Sequence, residues 1–216
     1  MRRISKKSSP DFFNIWKINF KQTNGVDPDY SKFIGEEKQK LREALYEEQF
    51  GLCCYCCKSL MFPYPYSEES HIEHFRPKGN LLYATLSLEY SNLHLSCSGF
   101  KSTKDSCGHK KDDWFDEALT VSPLEENVEA IFEYTIDGSI KAANGNIRAS
   151  KTIEKLELDS FALKRLRSSA IYVSGIFDDD FDDEKRKLIT EEYSRTENGC
   201  LKAFCNAVLY CAANVV

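Results

Sequence analysis

Apolar positions along the chain change their spacing several times, and each change predicts an element. In "DFFNIWKINF", Phe13, Trp16 and Phe20 fall at helical spacing, a short amphipathic piece in an otherwise irregular N-terminal arm of residues 1–35. Leu41, Ala44 and Leu45 share one face of a helix from about 36 to 50, with acids leading and Gly51 as its stop. From His71 the runs become short and mixed: "SHIEHFRPKG" ended by Pro77 and Gly79, then "SLEYSNLHLSC", then a polar loop entering "KKDDWFDEAL". That pattern predicts strand, loop, strand and helix. In "IFEYTIDGSIKAA" apolar residues flank Asp137-Gly138, a hairpin signal. Beyond it the spacing is helical: a helix begun by Asp159 with Leu163, Leu166 and Ala170 inward, another near 184–195, and a buried apolar one in "CLKAFCNAVLYCAANVV". The expected fold class is α+β, a small metal-stapled centre over residues 36–120 inside a mostly helical shell. Residues 121–216 supply a hairpin and a C-terminal helical region of the same compact unit.

Composition narrows the class without naming a function. An apolar fraction of 42% and a charged fraction of 29% over 216 residues fit a globular chain, and no tract or repeat argues for disorder or a solenoid. The basic opening "MRRISKKSSP" is followed by no apolar run, so neither a signal peptide nor a membrane span is predicted and a cytoplasmic location is expected. A net charge of -5 argues against coating nucleic acid with the whole surface but allows a local basic patch. Acids concentrate in "FDDDFDDEK", whereas residues 71–111 carry Arg76, Lys78, Lys101, Lys104, Lys110 and Lys111. The Asp run lacks the turn glycine and closing Glu of a calcium loop and is read as an exposed helix start.

Nine cysteines in a reducing compartment point to a metal more than to disulfides, and an odd number cannot pair fully. Cys200, Cys205 and Cys211 lie in the apolar C-terminal stretch and read as small buried hydrophobes. In "GLCCYCCKSL" two overlapping Cys-x-x-Cys pairs are possible, Cys53 with Cys56 or Cys54 with Cys57, and Cys97 and Cys107 are the natural second pair. Four thiolates in two groups suit a closed, structural zinc site. Between the pairs, Glu73 adjoins His74, a hard-metal ligand beside a side chain able to take a proton from water near neutral pH. Asn92 and His109 follow downstream. His71 shares the strand face of Glu73 and could supplement a metal site, though an ordinary polar contact is the expected reading; His94 reads as structural.

Taken in order, "CCYC", "IEHFRPK", "YSNLHLSC" and "CGHKK" resemble the HNH (His-Me finger) endonuclease family, and most closely its PtuB-like branch in Septu-type and retron-associated anti-phage systems. With "GEEKQKLREALYEEQFGLCCYC" before and "VSPLEENVEAIFEYTIDGSI" and "ASKTIEKLELDSFALKRLR" after, the resemblance covers most of residues 28–170. It implies a ββα-metal finger around one catalytic divalent cation, Mg²⁺ or Mn²⁺. His74 is then the general base, Glu73 and His109 the cation's ligands, and Asn92 the residue that fixes the loop and orients His74. The structural zinc ligands become Cys53, Cys56, Cys97 and Cys107, since the family places its first cysteine after "GL" and an aromatic before its second; a register using Cys54 and Cys57 stays open.

The implied activity is metal-dependent hydrolysis of nucleic-acid phosphodiesters, with DNA preferred and RNA such as tRNA possible. Implied partners are a PtuA-like ATPase and, in retron systems, a reverse transcriptase with its nucleic acid. Arg76, Lys78, Lys110 and Lys111 flank the site as candidate phosphate contacts. Two departures stand out: Glu73 where many relatives carry Asp or His, and Gly108 between the last cysteine and His109. The rival expectation from the residues alone is a catalytically silent, zinc-stabilised adaptor.

Overall fold

A computed structural model describes residues 1–60, 70–99, 104–178 and 181–214. Lys101, Asp179 and Asp180 lie outside them. The architecture is mixed: mostly helices, with two small antiparallel sheets.

Helix α1 (Asp11–Asn24) ends on Gly25 in the left-handed conformation, and α2 (Gly35–Glu48) presents Leu41 and Leu45 to the core. The short amphipathic piece expected in the arm is a helix of 14 residues, and it packs on the body. Phe13 and Trp16 meet Phe33 at ring-centroid distances of 5.0 and 4.6 Å. Ahead of α1, Met1 and Ile4 are buried, and Lys6 donates to the Glu48 carboxylate (2.7 Å) and the Leu93 carbonyl (2.6 Å). Periodicity alone could not show this strap, because its buried residues are spaced by what they meet and not by a helix turn.

A tight turn over residues 52–59 follows α2, closed by Cys53 N–H to the Lys58 carbonyl and Cys57 N–H to the Cys53 carbonyl. Strand β1 (Ser70–His74) pairs antiparallel with β2 (Leu93–Cys97), Glu73 opposite His94. The helix expected over "KKDDWFDEAL" instead occupies Cys107–Lys111 (α3), five residues ending at Asp112, whose positive φ of 49° breaks the helical path.

The hairpin forms as β3 (Phe132–Tyr134) and β4 (Ile140–Ala142). Gly138 sits there at φ +81°, where a Cβ would lie 2.1 Å from the Lys164 carbonyl, so the turn needs glycine for packing as well as conformation. Buried Arg167 closes the same corner, donating to the carbonyls of Gly138 (2.6 Å) and Leu158 (2.8 Å). Four helices complete the chain: α4 (Ile147–Lys155), α5 (Phe161–Val173), α6 (Asp183–Ser194) and α7 (Cys205–Asn214). Helix α4 had no counterpart in the expected elements, and α5 is capped by Ser160, not Asp159. Asp182 caps α6, as expected of a helix start. Helix α7 packs on α5, α6 and β3 and buries Cys205 and Cys211. Cys200 lies ahead of it, its Sγ 3.3 Å from the Tyr46 hydroxyl. No helix among the described residues is long and apolar enough to cross a membrane.

Candidate metal centre and adjoining cleft

Cys53 and Cys56 project from the turn after α2, Cys97 ends β2 and Cys107 begins α3. Their sulfur atoms all lie within 4.8 Å of one another and all four residues are buried. The Sγ atoms of Cys56 and Cys97 are 3.7 Å apart, close to the edge of about 3.8 Å that Zn–S bonds of about 2.3 Å give a tetrahedron. Backbone N–H groups already point at the sulfurs: Lys58 to Cys56 (3.4 Å) and Cys97 to Cys53 (3.3 Å). Burial pushes the Cys53 thiol up, but the sulfhydryls of Cys107, Cys54, Cys56 and Cys97 hydrogen-bond to it and hold it well below the usual range. Burial, with Cys53 adding to it, pushes the thiols of Cys54 and Cys56 well up, although Cys107 opposes this at Cys56, and the neighbouring thiols push Cys107 up. Four sulfurs this close stabilise one negative charge and resist a second, which is the imbalance a cation such as Zn²⁺ would relieve. Cys107 adopts φ +59° to reach its place, a conformation costly for a residue with a Cβ. The quartet thus takes Cys53 and Cys56. Cys57, also at positive φ, is the turning residue after the pair, and Cys54 lies outside the group.

Beside the quartet, and made from β1 and α3, is a cleft of about 200 Å³ lined by His71, Glu73, His74, Lys78, Gly108 and His109 among others. Buried Glu73 accepts at Oε1 from the Tyr55 hydroxyl (3.0 Å) and the Lys111 ammonium (2.9 Å), and its Oε2 lies 3.2 Å from His71 Nε2. Burial alone would raise the Glu73 carboxyl; His71 and Lys111 outweigh it and bring it down to about 2, so it is a carboxylate.

Lys111, expected at the surface as a phosphate contact, is instead buried, bonded to Glu73 and to the His74 carbonyl (3.1 Å). The one-turn helix aims it inward, and a buried ammonium needs those acceptors. Lys78 is exposed and lines the cleft, whereas half-buried Arg76 lies 4.0 Å from Glu117 and over the Phe115 ring, and exposed Lys110 lies 3.6 Å from Glu157.

His74 Nε2 lies 3.0 Å from the Ser87 carbonyl. A carbonyl only accepts, so Nε2 carries the proton and Nδ1 keeps its lone pair. Burial, with Lys78 adding to it, brings the imidazole down to about 4, and the ring is neutral at ordinary pH. Tyr30, from the N-terminal arm, sets its ring edge-on against it at 4.4 Å. Asn92 is buried and bonds backbone on three sides, accepting from Arg76 N–H (2.7 Å) and donating to the carbonyls of Arg76 (3.0 Å) and Leu86 (3.1 Å). It thereby clamps both ends of the segment that carries Ser87.

His109, half-buried in the middle of α3, has its ring 4.0 Å from that of His71. Gly108 explains itself here: a Cβ would lie 2.4 Å from Glu73 Oε2 and 2.6 Å from His71 Nε2, so any other residue would close the cleft. His71 Nδ1 is buried with no hydrogen-bond partner among the described residues. The bare side of Gly108 and the carboxylate with two nearby imidazoles fit a hard or borderline cation. Only the cysteine quartet, however, brings three or more donor atoms within 4.8 Å of one another among the described residues.

No family model matches the chain, and no curated protein does. The reading of the site accordingly rests on its own residues. Those that sequence reasoning missed are Tyr55, Tyr30 and the inward role of Lys111. Tyr55 carried a signal, since it stands inside the cysteine turn, but which way its hydroxyl pointed was not legible.

Proposed function

We propose that the chain is a metal-dependent HNH endonuclease, its β1, β2 and α3 forming the ββα-metal finger and the cysteine quartet holding a structural zinc ion. The observation that carries this reading is the pairing of a neutral, carbonyl-oriented His74 with the Glu73 carboxylate in an open cleft clamped by Asn92. An adaptor needs the quartet but has no use for a buried imidazole whose free nitrogen belongs to a cleft.

In this reading His74 Nδ1 takes the proton of the attacking water, and the Ser87 carbonyl fixes the ring and favours the imidazolium that forms. Asn92 holds the segment that supplies that carbonyl. Glu73 and His109 would hold Mg²⁺ or Mn²⁺, which supplies charge neutralisation at the scissile phosphate and leaving oxygen. Lys111 and Tyr55 keep the carboxylate ionised and aimed, with its Oε2 edge toward the cleft. Arg76 and Lys78 would receive flanking phosphates. The quartet, saturated by four thiolates, does no chemistry and holds the strands and helix in register. DNA is the preferred substrate, with RNA as the alternative, and a PtuA-like ATPase, with a retron reverse transcriptase in some systems, is the proposed partner in a cytoplasmic anti-phage response.

The test is cleavage of labelled duplex DNA, single-stranded DNA and tRNA by zinc-loaded protein with Mg²⁺ or Mn²⁺, against an EDTA control, with and without a PtuA-like ATPase. Metal-dependent cutting of any substrate supports the reading and names the substrate. Intact substrates in every lane, from protein that binds the ATPase, would favour the adaptor.

A further inference from the structure

We propose that His71 is a third protein ligand of the hard-cation site, joining Glu73 and His109, so that the site is a carboxylate with two imidazoles and prefers Mn²⁺ to Mg²⁺. The inference rests on the reading of the cleft as a cation site and deepens it.

Strand alternation puts His71 and Glu73 on one face of β1, and their nearest donor atoms are 3.2 Å apart. Two lone-pair atoms at that distance repel unless a proton or a metal cation lies between them. Both atoms converge on the bare side of Gly108, where a Cβ would be within 2.6 Å of each. The other carboxylate oxygen is already engaged by Tyr55 and Lys111, so the open edge of Glu73 is the one facing His71. The His109 ring lies 4.0 Å from that of His71, on the one-turn α3, and is the half-buried member able to turn toward a shared ion. Imidazole nitrogen suits borderline transition ions, whereas Mg²⁺ favours oxygen and water, so a two-imidazole set discriminates between them.

The experiment is Mn²⁺ titration of the zinc-loaded chain followed by continuous-wave and pulsed EPR, which counts coordinated imidazole nitrogens without reference to activity. Wild type, His71→Ala, His71→Gln, His109→Ala and Glu73→Gln are compared, with zinc content and circular dichroism verifying that each is folded. The expected result is two nitrogen couplings in wild type and one in either His71 variant and in His109→Ala. Mn²⁺ affinity should fall at least about tenfold without His71, since even the partners of metal ligands cost that much. Mn²⁺ binding that depends on Glu73 and His109 but is unchanged in both His71 variants would overturn this proposal alone. Wild-type protein that binds no Mn²⁺, or binds it indifferently to Glu73 and His109, would overturn the cation-site reading and this proposal together.

Discussion

The cysteine quartet and the neighbouring cleft share the one-turn helix and lie on paired strands, the quartet on β2 and the cleft on β1, yet one is sealed and the other open. The quartet offers four soft donors with no exposed face, and backbone N–H groups complete its surroundings. The cleft offers a carboxylate and imidazoles around a glycine, with Lys78, Asp112 and Asp113 also in its lining. The difference separates holding from reacting: a saturated site can only hold, and a reaction needs donors with room left beside them. The two regions touch through Tyr55, which stands between Cys54 and Cys56 and donates to Glu73. A metal held by the quartet would therefore help to aim the carboxylate of the cleft.

The sharpest way to break this division is to open the quartet. Cys56→Ser should abolish stoichiometric zinc and the cooperative thermal transition, since structural zinc contributes on the order of 10 kcal/mol to small sites. A variant that lost zinc yet melted like wild type would show that the quartet is not a staple. Glu73→Gln comes next, because it leaves the Lys111 ammonium buried without its counter-charge. A loss of about 3 kcal/mol or more is expected in denaturant unfolding, with much of it recovered in Glu73→Gln/Lys111→Met. Failure of the second substitution to recover stability would mean that Glu73 is held chiefly by Tyr55 and His71.

Asn92→Ala should cost about 2 kcal/mol, retain zinc, and speed hydrogen exchange across residues 76–87, because three backbone groups lose their partner. His94, opposite Glu73, gives a smaller effect of opposite sign. Both its ring nitrogens are buried without a partner among the described residues, and burial brings the ring down to about 3. The unfolded chain, with its histidine near 6.5, binds the proton first, so stability is full above about pH 6.5 and falls as the pH drops toward 3. His94→Phe should raise stability at neutral pH by about 1 kcal/mol and make the acid loss shallower in melts at successive pH values. The smallest change is Cys54→Ala, which should keep one zinc per chain and alter stability by no more than about 1 kcal/mol. Loss of zinc there would reopen the offset register.

What was legible follows from where the information sits. Strand β1, the Asp137-Gly138 hairpin and α7 announce themselves locally, through alternation, a turn pair and an apolar run. The quartet was legible because cysteines are rare and metal geometry allows few groupings. Three features were not local. Lys111 reads as one more surface lysine until α3 turns it inward, and α3 stops at Asp112 against a pattern that continues polar and apolar beyond it. The strap ahead of α1 is held by Glu48 and the Leu93 carbonyl, each far away in sequence. Gly108 looked like a departure until the carboxylate and imidazole on its bare side gave it a reason.

The most direct test of the account is single-turnover phosphodiester cleavage by His74→Ala beside wild type, both verified to hold one zinc per chain and to bind Mn²⁺ equally. The account predicts a loss of at least about 100-fold, the usual contribution of a general base, with metal binding and thermal stability little changed. Cleavage at the wild-type rate would contradict it, and would move the reactive group elsewhere in the cleft.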